Sequence, residues 1–177
     1  HLDVKDAYPR ESEVPFDSER KRMITIHEVQ KPHPNDLSPF YDEERKNWNV
    51  IAMKGAPDIV LTLCSRYLGM DDKPREMTDE MRKQILAAND AMTKDALRVL
   101  GFACRVEKDV PDNIEEVKTE DLEKDLIFVG LMGMIDPPRT EVKPALEHAR
   151  HAGIRTVMIT GDFPNTARAI AESINLL

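Results

Sequence analysis

The chain has 177 residues, 41% of them apolar, 5% aromatic, and a formal charge of −8. That length fits one domain, or one domain with a piece of another, with a core packed chiefly by aliphatic side chains and Met. The acidic balance argues against a nucleic-acid binder, which needs a basic footprint, but leaves room for a small basic pocket. No stretch approaches the roughly 18 apolar residues needed to cross a bilayer, and no signal peptide is visible, so these residues are expected to be soluble and to make no direct membrane contact. The chain opens on His1 and closes on Asn175-Leu176-Leu177 with no tail, which reads as a piece excised from something larger.

Residues 1–13 are polar and are expected to be irregular. Val14-Pro15-Phe16-Asp17 starts an extended piece, because proline biases the residue before it away from helix. A basic cluster, Arg20-Lys21-Arg22, leads into Met23–Val29, a strand rich in β-branched residues. Pro32, Pro34, Asn35 and Pro39 mark a long loop. Asn49–Lys54 is a second strand, ended by Gly55-Ala56-Pro57, and the two strands are predicted to pair as a hairpin around the proline-rich insertion. Asp58–Leu68 is predicted helical, with Pro57 suited to its first turn. Thr78–Met92 is a second helix, capped at Thr78 with acids in its first turn, and Met81, Ile85, Leu86 and Ala88 form one apolar side. Arg98–Val106 is a strand candidate. Residues 109–118 are a polar loop, and Thr119–Leu122 a short turn or helix.

Leu126–Ile135 is nearly continuous apolar sequence, which predicts a central strand buried on both faces. Glu141–His151 is an amphipathic helix capped by Gly153. Ile154–Ile159 is predicted as a short buried strand, and Asn165–Ile174 as the last helix, with Ala167, Ile170, Ala171 and Ile174 inward. Strand, helix, strand, turn and helix in this order suggest a parallel sheet with chemistry at the carboxyl ends of its strands. Cys64 and Cys104 read as buried, reduced thiols of a cytosolic protein. His1, His27, His33, His148 and His151 form no metal set; His148 and His151 are read as a solvated helix face.

The chemistry is expected in a few short strings. Thr160-Gly161-Asp162 closes the predicted strand and opens a helix, so backbone N–H groups there can hold a phosphate, with the Thr hydroxyl donating and the Asp beside phosphate and Mg²⁺. A plain turn with a helix cap competes with that reading. Asp136-Pro137-Pro138-Arg139 is a rigid double-proline linker, suited to a hinge strut between two rigid bodies. Phe16 beside Lys and Arg can stack on a base while the cations meet phosphates; a half-buried sheet Phe is the alternative. Lys54 projects from a strand end beside Gly55, which allows close approach; an ordinary strand-to-helix turn is the alternative. Arg98 can pair with phosphate or form a surface salt bridge.

Taken together, FDSERKRM (16–23), MKGAPD (53–58), ALRVL (96–100), GMIDPPR (133–139) and MITGD (158–162) resemble the cytosolic part of a P-type cation-transporting ATPase, nearest the calcium-pump and sodium-pump branch. The resemblance covers nearly the whole chain, in order. It implies an α+β fold: an antiparallel sheet with flanking helices forming the nucleotide-binding domain over residues 1–138, followed by a partial haloacid-dehalogenase-like α/β segment over 139–177. It implies that Phe16 stacks on adenine, that Lys21 and Lys54 line the same pocket with Gly55 allowing close approach, and that Arg98 meets the nucleotide phosphates. Asp136, Pro137, Pro138 and Arg139 would form the hinge. Thr160, Gly161 and Asp162 would support the transferred phosphoryl group and its Mg²⁺ surroundings.

The resemblance further implies ATP and Mg²⁺ as ligand and cofactor, and a place on the cytoplasmic face of a membrane. The partners would be the rest of the same pump: its membrane, actuator and phosphorylation domains. One departure is Ser18, where some relatives carry Arg; that phosphate or ribose contact is then weaker, or supplied by Arg20 or Arg22. The family's Asp-Lys-Thr-Gly-Thr string, with the phosphorylated Asp, and its Gly-Asp-Gly-x-Asn-Asp motif are not among these residues. Phosphoryl transfer needs nucleophile and metal together, so this stretch alone is expected to bind nucleotide without hydrolysing it. A free-standing nucleotide-binding module and an acidic interaction module are the alternatives.

Overall fold

The computed structural model describes residues 4–30, 40, 44, 48–95, 97–108, 110, 117–135, 138–161 and 164–177. The chain forms two compact units, His1–Arg82 with Leu100–Leu131, and Lys83–Val99 with Met132–Leu177. The strands are β1 (Arg10–Asp17), β2 (Arg22–Glu28), β3 (Asn49–Gly55), β4 (Cys64–Leu68), β5 (Pro74–Glu76), β6 (Arg98–Glu107) and β7 (Leu126–Met134). The helices are α1 (Val4–Ala7), α2 (Pro57–Thr62), α3 (Asp79–Lys94), α4 (Thr119–Leu122), α5 (Val142–His151) and α6 (Pro164–Ser173).

A seven-stranded sheet, in the order β1-β2-β3-β6-β7-β4-β5, organises the first unit. The predicted hairpin is borne out: β2 and β3 pair antiparallel along their whole length, from Arg22 opposite Gly55 to Glu28 opposite Asn49. β1 joins β2, and β6 joins β3, also antiparallel. The sheet is nonetheless mixed, because β4 runs parallel to β7. The proline-rich stretch at 32–39 lies outside the described residues.

Period-two alternation sorts the side chains to two faces. Ile24, Ile26, Ile51, Met53 and Ala103 share one face and are buried, along with Val60 and Leu61 of α2. Burial of each large aliphatic contributes roughly 1.5–3 kcal/mol. Val50 and Cys104 occupy the other face, where Val29, Tyr8 and Phe40 pack on them. Tyr8 and Phe40 meet edge to face, with centroids 5.8 Å apart. Gly101 lets α2 lie close on the sheet, since a Cβ there would stand 3.1 Å from the Pro57 Cα.

Several expectations need correction. Residues 1–13 are not irregular throughout, since α1 and the first half of β1 lie within them. The predicted helix over 58–68 stops at Thr62, and Cys64–Leu68 is strand β4. The residues from Cys64 onward gain backbone hydrogen bonds from β7 on one side and β5 on the other, more than an isolated helical turn offers. Arg82 then closes the end of α2, its guanidinium donating to the Leu61 carbonyl and, at 2.8 Å, to the Cys64 carbonyl. β7 is not buried on both faces, as Leu126 and Phe128 are buried but Val129, Met132 and Met134 are exposed.

The second unit holds α5, α6 and the greater part of α3. Thr78 caps α3 as predicted, its hydroxyl accepting from the Met81 N–H at 3.2 Å. The predicted apolar side is not buried: Met81 and Ile85 are half-buried, Leu86 and Ala88 exposed. Gly153 closes α5 with φ of +73°, and its N–H donates to the Arg150 carbonyl at 3.1 Å. Ala171 of α6 is buried and Ala167, Ile170 and Ile174 are half-buried, in line with the predicted inward side. The buried strand at 154–159 is overturned: these residues form no strand, and Ile154, Val157 and Ile159 are exposed, Ile159 to 94%. A strand in the middle of a parallel sheet exists only through its neighbours' hydrogen bonds, and no described residue of this unit pairs with it. Leu146, Ile154, Val157 and Ala171 instead help line an open cavity of about 610 Å³.

Candidate functional site

Three neighbouring strands end together at one edge of the first unit. β1 ends at Asp17, opposite the start of β2 at Arg22, and Arg22 lies opposite Gly55 at the end of β3. This register gathers four of the candidate residues: Phe16, Lys21, Lys54 and Gly55. Phe16, next to Asp17, is 62% exposed. Lys54 is exposed and pairs with Met23 on one side and Phe102 on the other.

The turn between β1 and β2 is tightly specified. One carboxylate oxygen of Asp17 accepts from the Glu19 N–H at 2.9 Å and from the Arg20 N–H at 2.8 Å. Those two backbone donors, Arg20's first, hold the Asp17 carboxyl below its ordinary range. The Lys21 N–H donates to the Asp17 carbonyl at 2.7 Å, and Lys21 itself takes the left-handed conformation, φ +55°. That conformation is unfavourable for a residue with a Cβ. It turns the Lys21 carbonyl toward β3, where it accepts from the Ala56 N–H at 3.0 Å.

Gly55 is required by this arrangement. A Cβ on it would stand 2.5 Å from the Lys21 carbonyl oxygen and 2.6 Å from the Arg22 Cβ. The glycine therefore serves close backbone packing under Lys21, beside the exposed Lys54.

Sequence reasoning missed Glu123. It follows α4, its side chain is almost wholly buried, and it accepts from both arginines flanking Lys21. Arg22 grips it with two nitrogens, Nε to one oxygen at 2.9 Å and a terminal nitrogen to the other at 2.5 Å. Arg20 donates to the first of these oxygens. Burial pushes the Glu123 carboxyl up, but the hydrogen bonds from Arg22 and Arg20 outweigh it and leave the group below its ordinary value. Arg20 and Arg22, the two residues suggested to stand in for an arginine at Ser18, both engage Glu123. Charge balance in the string Glu19-Arg20-Lys21-Arg22 could have signalled a buried acid, but nothing local points to a residue a hundred positions away.

The other candidates belong to the second unit. Arg98 opens β6 with an exposed side chain. Thr160 and Gly161 are exposed, and a Cβ on Gly161 would meet nothing within 4 Å. Pro138 and Arg139 are exposed, and the Arg139 carbonyl accepts from the Val142 N–H at 3.0 Å as α5 begins. Asp136, Pro137 and Asp162 lie outside the described residues. Cys64 and Cys104 are buried free thiols, as expected. Among the described residues no three His, Cys, Asp or Glu side chains gather as a metal site, and no helix is long and apolar enough to cross a membrane.

A seven-stranded mixed sheet with flanking helices defines an α+β domain, and a family model described as "P-type ATPase, cytoplasmic domain N" matches residues 2–141. The chain belongs to the P-type ATPase family. Among its curated relatives is the "Calcium-transporting ATPase 1" of Lactococcus lactis, 41% identical over 177 residues, which are 100% of this chain and 18% of the relative. A "Calcium-transporting ATPase 1" of Bacillus cereus is 43% identical over 98% of this chain and 17% of its own length. The "Sodium/potassium-transporting ATPase subunit alpha-4" of Rattus norvegicus is 34% identical over 99% of this chain and 16% of its own length. The chain thus spans less than a fifth of the length of these relatives.

Proposed function

We propose that this chain is the ATP-binding part of a cation pump that couples ATP hydrolysis to transport, calcium being the cation that the more similar relatives' names carry. In this reading residues 1–138 bind ATP and present it to an aspartate elsewhere in the pump. Residues from 139 onward begin a haloacid-dehalogenase-like domain, joined through Asp136, Pro137, Pro138 and Arg139 as a hinge. The domain works on the cytoplasmic face of a membrane, with the membrane, actuator and phosphorylation domains as its partners.

One observation carries the reading. An exposed aromatic ring, Phe16, stands at the same strand ends as Lys54, the left-handed Lys21 and Gly55, where an added Cβ would crowd the Lys21 carbonyl. A ring open to solvent can stack on adenine, and ammonium groups beside it can meet the anionic phosphates. The phosphate role of Arg98 rests on the resemblance alone. Mg²⁺ prefers six oxygens in octahedral array, several of them water. The string Thr160-Gly161-Asp162 brings one carboxylate, and carboxylate with hydroxyl is the right donor chemistry. When bound, the ion would neutralise phosphate charge; the chain's own task there is to steady the phosphoryl group by Thr160. Without the aspartyl nucleophile, these residues alone bind ATP and do not turn it over.

Titration with ATP, followed by amide NMR, tests the reading. Base stacking on an aromatic side chain is worth roughly 1–3 kcal/mol, so Phe16→Ala weakens binding about 5- to 150-fold, and Lys54→Ala weakens it in the same direction. Unchanged affinity in both variants, each still folded, refutes the pocket. No ATP binding by the wild-type chain favours an interaction module.

A further inference from the structure

The carboxylate that engages both arginines has no assigned role. Glu123 is 3% exposed. It lies a hundred residues from the turn it holds, on the segment between α4 and β7. A buried ion pair is weak evidence for stability, because desolvation offsets much of the attraction. In some proteins such a pair instead serves to fix one arrangement among several. The arrangement fixed here is that of the Asp17–Arg22 turn. Arg22 also donates to the Arg20 carbonyl at 2.8 Å, so the two arginines are tied to each other as well as to Glu123. Lys21 sits between them in its left-handed conformation, its carbonyl against Gly55. Loosening either arginine removes one support of that conformation, leaving the Asp17 and Ala56 backbone bonds to hold Lys21 alone.

We propose that Glu123 is a positioning residue for the nucleotide pocket: its buried carboxylate clamps Arg20 and Arg22 on either side of Lys21, and so holds Lys21 where it meets the ligand's phosphates. The inference rests on the nucleotide reading above. It also assigns the two arginines a bracing task, and leaves Lys21 and Lys54 as the cations that meet ATP at this edge.

A double-mutant cycle on the full 177-residue chain, with ATP affinity read by amide NMR, separates positioning from bracing. Glu123→Gln keeps the shape and removes the charge. It is expected to weaken ATP binding about threefold or more in the wild-type background, and to change it little in a Lys21→Gln background, since residues acting as one unit are non-additive. It should also shift the Lys21, Gly55 and Ala56 amide resonances of the free protein. Arg20→Gln leaves Glu123 its two bonds to Arg22 and serves where Glu123→Gln does not fold; it is expected to act in the same direction with the same dependence on Lys21. If wild type binds ATP and Lys21→Gln binds it equally well, the pocket reading falls at Lys21, and this inference with it. If Lys21→Gln weakens binding while Arg20→Gln and every folded Glu123 variant leave it unchanged, or if the losses simply add across the cycle, Glu123 is a structural brace and this inference alone is overturned.

Discussion

Replacing Gly55 by alanine puts the strand-end geometry under a single methyl group. The new Cβ would stand 2.5 Å from the Lys21 carbonyl oxygen, 2.6 Å from the Arg22 Cβ and 2.9 Å from the Arg22 Cα. An ordinary contact is 3.5–4.0 Å, so β2 and β3 must separate by about 1 Å at this point. The obstructing atoms are mostly backbone, which cannot swing aside as a long side chain can. Overpacking of this kind costs about 1–3 kcal/mol. The bond from the Ala56 N–H to the Lys21 carbonyl, 3.0 Å long, is strained or lost with it, for about 1 kcal/mol more. The total, about 2–4 kcal/mol, corresponds to a fall in Tm of roughly 5–15 °C for a chain of this size. Thermal melts by far-UV circular dichroism, with urea unfolding as a second measure, read it directly. ATP affinity should fall as well, because Lys21 moves with its carbonyl. A Gly55→Ala protein melting within about 2 °C of wild type would show that the strands yield freely there and that the glycine is not needed.

Three other expectations follow from the same structure. The Glu123 carboxyl is held below its ordinary value of 4.5, so its contribution to stability is present above that value and is lost as pH falls through the folded-state value; unfolding curves from pH 6 to pH 3 should show the loss in wild type and a smaller one in Glu123→Gln. Burial pushes the Cys64 thiol up to about 12 and the Cys104 thiol up to about 11, so neither should react with a thiol reagent at pH 8 until the chain unfolds, and alkaline conditions above the ordinary 9.0 should destabilise the fold. Ile159 is 94% exposed, so Ile159→Ser should change stability by no more than about 0.5 kcal/mol; a loss of 2 kcal/mol or more would restore the buried strand.

Local pattern determined much of this protein. Alternation in Met23–Val29 and Asn49–Lys54, with glycine and proline just after, sufficed to place two strands and pair them, because a strand's facing is written in every second residue. Thr78, Pro57 and Gly153 announced helix ends, since caps act within one turn. The strings around Phe16, Lys54 and Gly55 shared a pocket only through the family resemblance they carry; their own residues left a sheet Phe and a plain turn open. Tertiary structure decided the rest. Cys64–Leu68 carries apolar residues that suit helix or strand, and only β7 and β5 beside it settle the choice. Ile154–Ile159 reads as a buried strand on its own residues, yet a strand needs partners, and none of the described residues around it provides one. Glu123 is invisible in sequence for the same reason: its meaning lies in two arginines a hundred residues earlier, and only the folded sheet brings a carboxylate back to them.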